Sequence, residues 1–198
     1  MKYCELGELG EFIMRGKFSK NDFVNDGVQC ISSLPILGDD SIVLDSVDER
    51  VNIMQAQQLV NVQYGDVVIL TKSYTRDKLG RGSVWLGKQA VTANEIAVFR
   101  HNESPRYLAY CTRREGYVKA VLSSATFGIV NNISLDRLKR IKVPISAKEE
   151  QEAIADYLDE MRHRCSFLSN EIFLHNDQND YYRDYLLSFR KANKSVTW

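Results

Sequence analysis

The chain has 198 residues, 44% of them hydrophobic, and its 26 basic and 26 acidic side chains give a formal net charge of zero. This hydrophobic fraction is too high for a disordered chain, and the balanced charge excludes a uniformly positive surface. No apolar run approaches the roughly 20 residues of a membrane-spanning helix. The start "MKYCELGELGEF" carries acids where a secretory signal is apolar, so we expect a cytoplasmic protein without a membrane partner.

The first three quarters of the chain predict a globular domain of class α+β over residues 1–143. Short β-rich runs predict strands at 28–31, 41–44, 66–71 and 95–99. Ser104-Pro105 predicts the start of a helix, because serine can cap it and proline fits its first position. We expect Gly116 to interrupt this helix, and a second, short helix to follow Ser134.

The remaining residues, 144–198, predict one long helix. Ser146 and Glu149 fit the S-x-x-E capping box that starts many helices. Seam positions then recur at alternating spacings of four and three, which is typical of a left-handed coiled coil. They are Ile154, Leu158, Met161, Cys165, Leu168, Ile172, His175, Asn179, Tyr182, Leu186 and Phe189.

A helix over 147–190 would be roughly 65 Å long, at about 1.5 Å per residue. Its own domain cannot bury a stripe along that whole length, so the seam predicts a partner helix. His175 and Asn179 interrupt the apolar pattern and "HNDQND" holds weak helix formers, which leaves a kink open. A helix folded back on its domain is the alternative.

Cysteines and histidines are scattered along the chain rather than closely paired as in zinc sites. We therefore expect Cys4, Cys30, Cys111 and Cys165 to be reduced thiols and no metal to bind. The sequence has no nucleotide phosphate loop, no H-E-x-x-H, no G-x-S-x-G and no amino-methyltransferase signature. It predicts no enzyme and no cofactor.

Charge is unevenly distributed along the chain. Residues 66–119 hold 10 basic and 5 acidic side chains, and residues 120–145 hold 4 and 1. The middle of the chain is thus a candidate surface for a polyanion, with a solvated mixed surface as the alternative.

The run "NNISLDRLKRIKVPISAKEEQEAIADYLDEM" resembles the specificity subunit of type I restriction–modification systems. It combines a short helix, a basic strand that reaches proline, and a Glu-Glu-Gln segment that opens a long helix. "LGELGEFIMRGKFSKNDFVNDGVQCI", "GDVVILTKS" and "RYLAYCTRREGYVKAVLSSATFGIVNNIS" resemble further blocks of that family. The resemblance covers essentially the whole chain.

This resemblance implies a target-recognition domain that reads double-stranded DNA. It also implies methyltransferase subunits that use S-adenosylmethionine, with or without a motor-nuclease subunit. Family members usually carry two such domains and two helices, whereas this chain has one of each. The resemblance therefore implies a homodimer through antiparallel helices, although an Asn such as Asn179 in a seam is better known from parallel pairs. A coiled-coil scaffold without a DNA role is the rival interpretation.

Arginine can bind guanine, asparagine can pair with adenine and lysine suits phosphate. Candidate side chains of these kinds, with neighbouring hydroxyl groups, fall in three segments. Segment 71–83 offers Lys72, Tyr74, Arg76, Lys78 and Arg81. Segment 15–20 offers Arg15, Lys17 and Lys20, and segment 123–132 offers Ser124, Thr126 and Asn131. Ordinary turn roles stay open for these residues. Arg137, Lys139, Arg140 and Lys142 are candidates for either phosphate or a partner subunit.

Overall fold

The computed structural model describes residues 2–38, 41–93 and 95–192. The side chains of Lys20 and of residues 188–192, including the predicted seam residue Phe189, lie outside the described part. The chain divides into two compact units, residues 1–155 and 156–198. Among the described helices, none is long and apolar enough to cross a membrane.

The first unit contains thirteen strands, six short α-helices and one 3-10 helix (Lys20–Asp22) within its described residues. In chain order the strands and α-helices are β1 (Lys2–Glu5), α1 (Leu6–Leu9), β2 (Gly10–Ile13), β3 (Phe23–Ile31), α2 (Ser33–Leu37), β4 (Val43–Leu44), β5 (Arg50–Val51), α3 (Ile53–Ala56), β6 (Val60–Val62), β7 (Val67–Leu70), β8 (Lys72–Ser73), β9 (Gly82–Trp85), β10 (Ala90–Thr92), β11 (Ile96–His101), α4 (Pro105–Cys111), α5 (Glu115–Ser124), β12 (Asn131–Asn132), α6 (Leu135–Lys139) and β13 (Lys142–Ile145). The long helix α7 (Lys148–Ala192) follows.

Two larger sheets and a helical layer build the core. One sheet has the order β2-β11-β7-β9-β4 and the other β5-β3-β10-β6. Successive side chains of a strand point to opposite faces. Accordingly, Val67 and Ile69 of β7 pack with α4, α5 and α6, whereas Val68 and Leu70 pack against the four-stranded sheet. The five-stranded sheet therefore forms the middle layer and is buried on both faces.

The first strand of the chain and the last strand of the unit pair with each other. β1 and β13 are antiparallel, with Tyr3 opposite Pro144. The hydroxyl of Tyr107 in α4 donates to the carbonyl of Pro144 at 2.9 Å. The boundary predicted at Pro144 thus falls within this sheet, and the compact unit continues to Ala155, which is fully buried.

The α+β fold with a long C-terminal helix confirms the predicted fold class, and all four predicted strands form. The expected interruption at Gly116 is wrong, because Gly116 lies inside α5. The helical segment breaks at residues 112–114 instead. There the Thr112 hydroxyl donates to the Ala109 carbonyl at 2.7 Å and accepts the Gly82 N–H at 2.9 Å, which ties the end of α4 to β9.

The predicted capping box at the start of α7 is also wrong. The Ser146 hydroxyl is buried and has no hydrogen-bond partner among the described residues. Gln151, one turn into the helix, is fully buried, and its side chain makes the hydrogen bonds that hold the start of the helix. Its side chain accepts the Ser104 N–H at 3.1 Å and donates to Glu103 at 2.6 Å and to the Ser146 carbonyl at 2.9 Å.

Helix α7 is continuous over 45 residues, so the segment "HNDQND" does not break it. Early seam residue Ile154 packs against the core of the first unit. From Met161 onward the described seam residues are exposed, and Leu186 keeps 65% of its surface.

Candidate nucleic-acid interface

Two loops of the first unit are held side by side by a two-stranded ladder. β8 and β12 pair antiparallel, with Asn131 opposite Ser73 and Asn132 opposite Lys72. β8 leads into residues 74–81 and β12 follows residues 125–130; we call these two segments the paired loops. The side chains of the two loops share one surface, because the β8–β12 ladder joins the start of the first loop to the end of the second.

Asn131 was predicted to contact DNA but has a different role in the structure. It is 4% exposed, and its amide donates to the carbonyls of Ser73 at 3.1 Å and Tyr74 at 3.2 Å. Both amide hydrogens are used inside the protein. Asn131 therefore positions the paired loops.

The tips of the paired loops carry exposed apolar and aromatic groups. Tyr74 is 81% exposed and Ile129 is 92% exposed. Exposed Arg76 lies over the ring of Phe127, with 4.5 Å from the guanidinium carbon to the ring centroid, and so links the two loops. A cation on an aromatic face is attracted by the ring quadrupole.

The end of the 74–81 loop, at Gly80, is held by α5. The buried hydroxyl of Tyr117 in α5 donates to the Gly80 carbonyl at 2.9 Å. Gly80 has a φ of 75°, and a Cβ there would lie 2.7 Å from Val121. Only glycine fits this position, which stabilises the loop that presents Tyr74 and Arg76.

The predicted cations of the first segment divide into two groups. Lys72 and Arg76 are exposed. Lys78 is half-buried, with its amine 3.8 Å from the carboxylate of Asp77. Arg81 donates to the carbonyls of Leu37 and Gly38, at 3.3 and 3.2 Å. Arg81 is thus partly engaged in holding α2, while Lys72 and Arg76 face solvent.

The basic segment 15–20 and the 74–81 loop contribute to two neighbouring cavities. One cavity of about 270 Å³ is lined by Lys72, Tyr74, Ser33 and Glu95, among others. A neighbouring cavity is also lined by Ser33 and Glu95 and reaches Phe18. Residues of the 15–20 segment and of the 74–81 loop therefore line adjoining cavities that share Ser33 and Glu95.

Within the 15–20 segment, two of the predicted side chains are described. Lys17 is exposed, whereas Arg15 donates twice to the Leu59 carbonyl, at 3.3 and 3.2 Å. The side chain of Lys20 lies outside the described part.

The predicted hydroxyl residues Ser124 and Thr126 lie beside Arg137. Its guanidinium donates to the Ser124 carbonyl at 2.8 Å and to the Thr126 hydroxyl at 3.4 Å. The Thr126 backbone pairs with Asn132 through two hydrogen bonds, at 2.8 and 2.9 Å. These contacts join α6 to the 125–130 loop.

The buried thiols are not activated, and the described side chains form no metal-ligand cluster. All four cysteines are free thiols. Burial raises the pKa of Cys30 to about 12 and that of Cys111 to about 11, which disfavours the reactive thiolate at both positions. No cluster of three metal-ligating side chains occurs among the described residues. What the surface offers is cations, hydroxyls and exposed rings on a rigid frame.

The sequence pattern of the type I restriction modification DNA specificity domain matches residues 1–172. The chain belongs to this family. The match spans the first unit, including the paired loops, and the first half of α7. No curated protein matches the chain significantly.

Solved structures of specificity subunits share the fold of this family member. The S subunit of a type I restriction–modification system from M. genitalium aligns with a TM-score of 0.57 at 15% identity, over 96% of this chain and 46% of its own. The HsdS subunit from Thermoanaerobacter tengcongensis aligns with a TM-score of 0.60 at 21% identity, over 84% and 38%. A structure that describes assembly and conformational transition of the type I R-M system aligns with a TM-score of 0.62 at 20% identity, over 84% and 39%. The chain thus spans less than half the length of these structures.

The second unit of this specificity-family chain presents a wider apolar face than the predicted seam. The seam residues Leu168, Ile172 and Leu186 are exposed, and so are Phe167 and Leu174 beside them. Phe167 and Leu174 precede seam positions by one residue and extend the stripe around the helix.

The polar residues of the 123–132 segment indicate DNA contacts, but the sequence does not predict that Phe127 and Ile129 are exposed there. Their exposure depends on the pairing of β12 with β8. The sequence nevertheless contains a signal for exposed apolar residues, since "TFGIV" has one large apolar residue on each side of a glycine in a turn-forming segment.

Proposed function

We propose that this chain is the DNA-reading, non-catalytic component of a type I restriction–modification complex in the cytosol. The observation that carries this proposal is the match of the specificity domain across residues 1–172. In this proposal methyltransferase subunits, with or without a motor-nuclease subunit, supply the chemistry and bind S-adenosylmethionine.

We place the base-reading surface on the paired loops. Lys72 and Arg76 are exposed cations next to exposed Tyr74 and Ile129. Cations of this kind contact phosphates or guanine edges, and apolar tips can meet thymine methyl groups. Lys17 is exposed and precedes Phe18, which lines the second cavity, and would add a phosphate contact.

We further propose that two copies pair through α7. An apolar stripe that is exposed over many turns is costly in water, and a second copy supplies a complementary stripe. The homodimer would then hold two recognition domains, as two-domain members of the family do.

Direct DNA binding by the full chain tests the function. Fluorescence anisotropy with a labelled genomic duplex should show binding that weakens steeply with salt, in the absence and presence of the methyltransferase subunits. Lys72→Ala/Arg76→Ala should weaken it, whereas Lys88→Ala, in the exposed connection between β9 and β10, should not. Absence of salt-sensitive binding even with the methyltransferase subunits would favour a scaffold instead.

A further inference from the structure

A second basic concavity lies apart from the tips of the paired loops. Its volume is about 440 Å³, and α5, α6, β1 and β13 contribute to its walls. Four cationic side chains line it, Arg114, Arg137, Arg140 and Lys142. Its described lining contains no carboxylate. We call it the basic cavity.

Two of the four cations are held in place by neutral groups. The Arg114 guanidinium donates to the Tyr3 hydroxyl at 2.8 Å and lies 5.5 Å from the centre of that ring. Arg137 donates to the Ser124 carbonyl and the Thr126 hydroxyl. Carbonyls and hydroxyls orient a guanidinium without cancelling its charge, and each guanidinium has five N–H donors. Both arginines are therefore ordered but still fully charged.

The other two cations are open to solvent. Arg140 and Lys142 are exposed, on the residues that follow α6 and begin β13. Within the described part of the chain, no carboxylate forms an ion pair with any of the four. The nearest carboxylate across the strand pair is that of Glu5, opposite Lys142. The positive charges around one concavity repel one another, and an anion that enters reduces this repulsion.

The lining adds hydrogen-bonding groups that suit phosphate oxygens. Ser123 and Ser124 lie on the last turn of α5 and line the cavity together with Gly116, which presents backbone without a side chain. Planar guanidinium groups bind phosphate with two parallel hydrogen bonds, and a lysine adds a point charge.

The basic cavity is connected to the paired loops by bonded contacts. Arg137 links it to Thr126, the Thr126 backbone pairs with Asn132, and Asn132 pairs with Lys72 of β8. A polyanion that contacts the loop tips would find further positive charge along this line. A single strand of duplex DNA carries one phosphate about every 3.4 Å of helix axis, so it can supply anions to both places at once.

We propose that the basic cavity binds the sugar–phosphate backbone of the DNA beside the bases that the loops read. This inference rests on the proposed function. It assigns Arg114, Arg137, Arg140 and Lys142 to backbone positioning, without sequence readout. DNA is favoured over an acidic protein segment because of the continuous connection to the paired loops.

The test uses the full chain with Arg140→Ala/Lys142→Ala, the milder Lys142→Gln, and Lys88→Ala as the matched control that removes one exposed lysine elsewhere. Binding is measured by anisotropy over a range of salt, with the target duplex and with a scrambled duplex. The double variant should weaken binding to both duplexes by a similar factor. The slope of log affinity against log salt should fall by about 0.9 for each lost contact, so by about 1.8. For Lys142→Gln the slope should fall by about half of that amount, and for Lys88→Ala it should not change. The methylated motif in cells should be the same for the double variant as for the unmodified protein.

Three outcomes decide against the proposal. An unchanged salt slope in the double variant, while Lys72→Ala/Arg76→Ala reduces it, overturns the basic cavity as a DNA site and leaves the proposed function standing. An unchanged slope with lost assembly of the methyltransferase subunits assigns the surface to a protein partner. Absence of DNA binding by the unmodified chain, with those subunits present, removes both the proposed function and this inference.

Discussion

Arg76 combines two features that make it the strongest candidate for base readout on the paired loops. It is exposed, and Phe127 supports it through a contact that uses the ring rather than a hydrogen-bond acceptor. Its N–H donors are therefore not consumed by the ring. In the proposed complex they would grip the O6 and N7 of a guanine.

Arg76→Lys keeps the charge but loses the planar fork, so it should separate affinity from sequence discrimination. We expect a salt slope close to that of the unmodified protein. Discrimination at one position of the half-site should fall by about 1–3 kcal/mol. Arg76→Ala should lose both discrimination and about 0.9 of slope. Anisotropy with a panel of duplexes substituted one base pair at a time measures this, and identical discrimination by the lysine variant would contradict the role.

His101 links the stability of the first unit to pH. Burial lowers the pKa of His101 to about 4, with a smaller lowering effect of Lys148; Asp66 and Glu103 act in the opposite direction. An unfolded histidine has a pKa near 6.5. Between those values the unfolded chain binds a proton that the folded chain does not. The free energy of unfolding should therefore fall as the pH is lowered through this window.

The expected loss between pH 7 and pH 5 is on the order of 1–2 kcal/mol, after allowing for partial solvent screening. His101→Phe keeps a ring next to Phe99, whose ring lies 5.0 Å away, and removes the titration. Urea unfolding at both pH values should show a smaller loss in this variant. An equal loss in both proteins would assign the pH dependence to other groups.

At the scale of elements, helix α7 carries the largest exposed apolar surface among the described elements. Leu168 and Ile172 lie on the seam, and Ser166 and Asn170 lie about half a turn away on the other side of the helix. Each pair is separated by four residues. Changing either pair to aspartate therefore adds the same charge at the same spacing to opposite faces.

Leu168→Asp/Ile172→Asp should turn the proposed dimer into a monomer, because each aspartate would be buried in an apolar interface without a partner. Ser166→Asp/Asn170→Asp should leave the dimer intact. Light scattering after gel filtration at tens of micromolar measures the mass. A monomeric unmodified protein at that concentration would end the homodimer proposal.

Elements with a local signal could be predicted from the sequence, whereas those defined by distant partners could not. The apolar run of β7, the Ser-Pro start of α4 and the 4–3 repeat of α7 need only near neighbours. The two-residue strands β8 and β12 exist because residues 58 positions apart meet, as in the contact of Asn131 with Ser73.

The same limit applies to the candidate site. Arg15, Arg81 and Asn131 have the side chains that DNA contacts require, but the fold gives each of them carbonyl acceptors in distant segments. Composition cannot distinguish a cation that faces solvent from one that holds a loop. Lys72 and Arg76 fit the predicted surface only because the pairing of β8 with β12 presents them there.

At the scale of the whole assembly, the direction of helix pairing decides where two recognition domains lie. Cys165 is exposed on the seam, while Cys30 and Cys111 are buried, so a Cys4→Ser/Cys165→Ser background is suitable for single cysteines at Leu168, Ile172 and Leu186. A disulfide requires Cα atoms within about 7 Å. An antiparallel pair should cross-link only at a position close to the two-fold axis. Cross-linking at all three positions under oxidant on a non-reducing gel would show a parallel pair in register.

The last prediction concerns the symmetry of the DNA target. Two identical chains related by a two-fold axis read identical half-sites on opposite strands, so the proposed homodimer should recognise a palindrome. The stripe from Ile154 to Leu186 extends over roughly 50 Å at about 1.5 Å per residue, and one turn of duplex is about 34 Å. An antiparallel pair would place the two recognition domains at opposite ends of this helix pair. The half-sites should therefore be centred on the order of one turn apart, with an unread spacer between them.

Methylome sequencing of a host with and without this gene, with the methyltransferase subunit present in both, measures the motif. A third host carries the variant Leu168→Asp/Ile172→Asp. This variant should abolish methylation of the spaced palindrome, because the two recognition domains are no longer held together. An asymmetric motif, or a continuous one without a spacer, would contradict the antiparallel homodimer. The recognition domain would then read DNA together with a different recognition domain, and not with a second copy of this chain.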